Sequence, residues 1–122
     1  MAIYALLFGL KIKKEIYLEM ALLEIENSNS DFDLKLTCLS SVSQAYFASK
    51  NEHLLKVLYS VFTDENEDEN IRTESFLSML KVIGINSADI VKRNQGIIVL
   101  FDDINLGEFS DEINKIELLI QY

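Results

Sequence analysis

Proline is absent from this 122-residue chain, and glycine occurs only four times. Without proline nothing interrupts a helical hydrogen-bond ladder, and with so little glycine the tight turns of β-hairpins are scarce. Both shortages favour an all-α protein. A single cysteine, Cys38, excludes an internal disulfide and a cysteine metal cluster, and it fits a reducing, cytoplasmic setting. One histidine, His53, leaves no ligand set for zinc; in the first turn of its helix it reads as an exposed polar residue. Glycine-rich phosphate loops, Glu-x-x-His units and nucleophile elbows around the serines are missing as well. No catalytic constellation presents itself, so the expectation is a protein that is not an enzyme and needs no cofactor.

Positive charge is the other shortage. Eleven Lys and Arg face twenty Asp and Glu, for a formal net charge of −9. The imbalance is local: residues 1–50 carry −1, and residues 51–122 carry the remaining −8. Such a surface repels phosphate backbones, which argues against direct nucleic-acid binding. It attracts a basic protein and speeds the encounter.

Apolar residues make up 49% of the chain, enough for a core, and the length suits one domain, residues 1–122. The opening MAIYALLFGLKIKK is too short and too basic at its end to span a bilayer, and it lacks a basic region ahead of its apolar run. It reads as a buried N-terminal helix, with neither membrane nor export implied. Ile3, Leu6, Leu7 and Leu10 repeat at helical spacing, and Ile16, Met20 and Leu23 continue the pattern as a stripe expected to be buried. Further stripes are Leu36, Leu39, Val42, Tyr46 and Phe47; Leu54, Leu55, Leu58, Val61 and Phe62; Ile71, Phe76, Met79, Leu80 and Ile83; and Ile113, Ile116, Leu119 and Ile120. Gly84 marks a helix stop, and Asn86–Asp89 offers caps for the next helix. GIIVLFDD, residues 96–103, is β-branched enough for a short strand, but no convincing partner strand exists, so helix is the expectation.

One acidic stretch poses the main question. In FTDENEDENIRTESF, residues 62–76, Asp64, Asn66 and Asp68 alternate as in an EF-hand loop. The sixth position of that loop would be Glu69, where glycine makes the turn, and the twelfth would be Ser75, where a bidentate glutamate belongs. The stretch therefore reads as a helix-to-helix turn whose acids favour the positive end of the following helix. Its excess carboxylates repel one another, and an external basic partner would account for them. A second acidic cluster lies in DDINLGEFSDE, residues 102–112.

The middle of the chain repeats. DLKLTCLSSVSQAYF (33–47) lies over NIRTESFLSMLKVIG (70–84) at an offset of 37, matching Lys35 with Arg72, Leu39 with Phe76 and Val42 with Met79. A looser third copy places LFDD (100–103) over VFTD (61–64). A period near forty with two helices per unit is that of HEAT and armadillo arrays. LLKVLYSVFTDE, followed by NIR and FLSMLKVIG, resembles a HEAT repeat, with Asp64 or Asp68 as the turn aspartate and Arg72 as the basic residue after an aliphatic. The resemblance implies a short α-solenoid of about three antiparallel helical hairpins. Small, acidic, proline-free chains of this kind also resemble bacterial immunity proteins of polymorphic-toxin and contact-dependent growth-inhibition systems. That likeness implies a cognate toxin domain, often a nuclease, as partner. The expected contact residues are Asp64, Glu65, Glu67, Asp68 and Glu69 with Asp102, Asp103, Glu108, Asp111 and Glu112. Stacked hairpins would join the two clusters into one negative rim. The competing readings are a scaffold using the same edge and a calcium-responsive module using Asp64–Glu74.

Overall fold

The computed structural model describes residues 3–27 and 31–121, with side chains from residue 15 onward. It is all-α and repeat-like: α1 (Ile3–Glu26), α2 (Phe32–Ala45), α3 (Glu52–Thr63), α4 (Glu69–Val82), α5 (Ser87–Asn94) and α6 (Ser110–Ile120). Two 3-10 turns, Phe101–Asp103 and Leu106–Phe109, lie between α5 and α6. No strand occurs among the described residues.

Local chemistry sets most boundaries. Asn51 caps α3 by accepting from Leu54 N (3.0 Å), Asp68 caps α4 from Asn70 N (2.8 Å), and Asn86 caps α5 from Asp89 N (2.9 Å). Asp31 precedes α2 without a side-chain cap bond. At its far end α4 stops in a Schellman turn: Ile85 N reaches Leu80 O (2.9 Å) and Gly84 N reaches Lys81 O (3.0 Å). Gly84 has φ +105°, a conformation that a side chain would strain.

The first four helices stack as two hairpins. α1 packs on α2 and α3 on α4, while α2 lies against α4 and α1 against α3. The aligned pairs Leu39/Phe76 and Val42/Met79 are fully buried. Helix α4 is the centre of the molecule, with buried side chains around nearly its whole circumference: Ile71, Thr73, Ser75, Phe76, Ser78 and Met79 among them. Two of its hydroxyls bond to neighbouring helices, Ser75 Oγ to Leu58 O of α3 (2.6 Å) and Ser78 Oγ to Leu39 O of α2 (3.2 Å). Small polar residues let the backbones approach closely, and each buried hydroxyl keeps a partner.

The third unit closes this stack in exchanged order. α6 lies on α3, while α5 and the Phe101–Asp103 turn cover α4. The reason is the connection. α5 ends after eight residues because Gln95 enters the left-handed region (φ 61°) and Gly96 N closes onto Val91 O (3.2 Å). The buried Asn94 then gathers the loop: its Nδ2 donates to Gly96 O (2.9 Å) and Asp103 O (3.0 Å), and its Oδ1 accepts from Asn105 N (2.7 Å). Residues 96–103 are therefore neither helix nor strand, contrary to expectation. They form an irregular segment with one 3-10 turn, and Ile97 and Val99 face solvent.

Helix α1 also departs from the sequence reading. Leu18, Ala21, Leu22 and Ile25 are its buried face, whereas Ile16, Met20 and Leu23 are 55–68% exposed. Both sets have helical spacing, so periodicity could not choose between them; the small Ala21 lets α1 seat closely. Phe47 and Val91 are likewise exposed. The side chains of Ile3, Leu6, Leu7 and Leu10 lie outside the described residues. Leu22→Ala should destabilise the fold by about 2–5 kcal/mol, whereas Met20→Ala should stay within about 0.5 kcal/mol. Urea unfolding of both variants checks which stripe is the core face.

Candidate binding surface

The α3–α4 turn holds the first acidic cluster, and most of its carboxylates have internal work. Asp64 Oδ1 accepts from Asn66 N (2.9 Å), closing the turn. Glu67 Oε2 pairs with Lys35 Nζ at 3.2 Å, and its Oε1 accepts from Asp68 N (3.0 Å). Lys35 is 5% exposed, so Glu67 compensates a nearly buried ammonium. Asp68 caps α4. Glu65 and Glu69 extend into solvent. Much of the local excess of charge is thus explained by capping, turn closure and one ion pair. The sequence missed Lys35 as the reason for Glu67, since a lysine in the middle of a helix reads as a surface residue.

The second cluster divides. Phe101 stacks on Phe62 (5.8 Å between centroids) and lies under the Arg72 guanidinium (4.3 Å), while Arg72 Nε donates to Phe62 O (2.9 Å). These contacts hold Asp102 and Asp103 beside the α3–α4 turn. Asp103 Oδ2 accepts from Leu100 N (2.8 Å) and Val99 N (3.1 Å), bonds that hold its carboxyl below the usual range. Asp102 is exposed. Glu108, Asp111 and Glu112 belong elsewhere, grouped around Arg93 of α5. Arg93 Nη2 bonds the Glu112 carboxylate and donates to Glu108 O (2.8 Å), and its guanidinium lies 5.1 Å from the Phe109 ring centre. The hydrogen bond from Arg93 holds the largely buried Glu112 carboxyl below its ordinary value, and Glu112, Asp111 and Glu108 together raise Arg93.

One continuous rim is therefore not formed. Arg93 and Glu108 border Gly84 and Ile85, at the C-terminal end of α4. Asp102 follows Phe101, which packs on Phe62 and Arg72 near the N-terminal end of α4, so the two groups of carboxylates gather around different partners. The irregular 95–109 connection causes the split, because it returns Phe101 along α4 before Phe109 anchors on Phe76 (5.5 Å). Beside the α3–α4 turn, Glu65, Glu69 and Asp102 are exposed and form no ion pair among the described residues.

The EF-hand reading is corrected by the same geometry. Residues 69–75 are the first two turns of α4, which leaves no twelve-residue loop to wrap an ion. No group of three or more His, Cys, Asp or Glu side chains converges to hold a metal among the described residues. His53 is exposed, with Nε2 3.8 Å from Glu19 Oε1. Cys38 is half-buried, and burial followed by the field of Glu24 raises its thiol. Tyr59 donates to Glu117 Oε2 (2.9 Å), an internal contact between α3 and α6. No described helix is long and apolar enough to cross a membrane.

Two outcomes follow from this chemistry. The Glu112 contribution to stability is present above the ordinary carboxyl pKa and is lost as pH falls through its depressed value. Glu112→Gln should therefore flatten the fall in melting temperature between roughly pH 5 and pH 3. Millimolar calcium should leave the melting temperature unchanged, where a ligand at a hundred times its Kd would add about 2.7 kcal/mol. Comparison of the chain with family models, curated proteins and solved structures returns no match.

Proposed function

We propose that this protein is a binding protein that neutralises a basic partner by occlusion rather than by chemistry, in the manner of an immunity protein against a toxin domain. The observation that carries the reading is the juxtaposition, at one end of α4, of the 64–69 turn with Asp102. Glu65, Glu69 and Asp102 are exposed and have no internal ion pair among the described residues, so their charge is available to a partner. The Asp64, Asp68 and Asp103 carboxylates stand beside them and add to the negative potential, although their hydrogen bonds also serve the fold, whereas Glu67 is offset by Lys35. Such a field accelerates encounter with a cationic surface and selects against other partners. A nuclease toxin presents that kind of surface, since its cleft must hold phosphates.

The test is to look beside this chain's gene for a long secreted protein with a variable C-terminal domain and, where one is encoded, to measure association with that domain. The domain should bind, and co-expression of this protein should relieve its toxicity. Glu65→Lys with Glu69→Lys and Asp102→Lys should slow association at low salt by about tenfold or more and flatten its salt dependence. An unchanged association rate removes the acidic end as the contact surface, and the absence of any binding removes the neutralising role.

A further inference from the structure

The opposite end of α4 carries the opposite chemistry. Between the α2–α3 loop, the segment after α4 and α6 lies a groove of about 450 Å³. Its walls are aliphatic, from Ile83 and Ile85 on one side and Leu118 and Leu119 on the other. Leu118 is 63% exposed and forms the outer part of the apolar wall. Lys50, Lys115 and Arg93 stand around these walls. Arg93 is satisfied by Glu112, the one acid in the groove, so that pair cancels. Lys50 and Lys115 form no ion pair among the described residues. The charged lining is three cations against one acid, Glu112, which acts on Lys115 as well as on Arg93, so positive charge is locally in excess in a chain of net charge −9.

The backbone adds a second observation. Lys50 has φ 54°, in the left-handed region that disfavours a lysine. The conformation itself is explained: Lys50 N donates to Val82 O and Ala48 N to Lys81 O (both 3.0 Å), closing the last carbonyls of α4. Glycine would make the same bonds without the clash of Cβ. The α4 C-terminus attracts one positive charge. It does not account for Lys115, on a different helix, or for the apolar walls.

We propose that this groove binds a small aliphatic carboxylate, with its chain against Ile83, Ile85, Leu118 and Leu119 and its head between Lys50 and Lys115. The volume lies within the range of small-molecule sites. Each lysine is a flexible point charge with three donors, so Lys50 and Lys115 can each take one oxygen of a carboxylate. The site is independent of the acidic end and of the function proposed for it.

Decanoate, below its micelle-forming range, is the probe, followed by amide chemical shifts of the intact protein. Saturable shifts are expected at Ile83, Ile85, Lys115, Leu118 and Leu119, with none there from acetate or decyltrimethylammonium. Lys50→Gly with Lys115→Gln should weaken the apparent affinity by about tenfold, the sum of two partly exposed charge pairs. The double variant should melt no lower than the parent, so a loss of binding cannot be assigned to unfolding. Equal shifts from decyltrimethylammonium, shifts scattered away from the groove, or undiminished affinity in the double variant would each overturn the proposal.

Discussion

The structure depends on burying α4 from almost every side. A helix in that position turns only a narrow side to solvent, so most of its polar atoms must be satisfied by neighbours. Ser75 and Ser78 do this by bonding carbonyls of α3 and α2, which ties the two hairpins together through their central element. Phe76 fills the remaining space, against Phe62 on one side and Phe109 on the other. Because α2, α3, α5 and the Phe101 turn all lie on α4, its direction sets where every loop emerges.

That direction also separates the charges. The N-terminal end of a helix favours anions and the C-terminal end favours cations. Asp68 and Glu69 open α4, while Lys81 lies in its last turn and Lys50 closes on its final carbonyls. The acidic turn and the lysine-bordered groove are thus the two poles of one element, about 20 Å apart. Glu108, Asp111 and Glu112 fall at the cationic pole, where Arg93 bonds the Glu112 carboxylate and the Glu108 carbonyl and feels the field of Asp111. They answer an internal charge, so they add little to the field at the acidic end.

The fold was legible where one sequence signal had one physical meaning. Gly84 could stop a helix and does so; Asn86 could cap one and does so. The Leu39/Phe76 and Val42/Met79 correspondences share the same depth because both hairpins repeat the same packing. Legibility failed where two apolar sets had equal spacing, as on α1, or where a single polar residue overrode a long apolar run. Asn94 is the latter case. Nothing local distinguishes it from an exposed asparagine, yet its three loop contacts end α5 and leave Ile97 and Val99 in solvent. At the candidate site, the acidic character of the 64–69 turn was plain, but the tasks of Glu67 and Asp103 were not. Those tasks depend on Lys35, thirty-two residues away, and on backbone amides exposed only by the loop's path.

By itself, then, the sequence determined an all-helical chain with two repeating hairpins and an acidic turn between α3 and α4. Scarce glycine, absent proline and helical periodicity are local properties, and they act before any long-range contact exists. Tertiary structure decided which face of α1 is buried, the exchanged order of the last two helices and the division of the second acidic cluster. Each of those outcomes is a choice between arrangements that local preferences leave nearly equal in energy. For the last helices and the second acidic cluster it is settled by which arrangement satisfies buried polar groups such as Asn94 and Glu112.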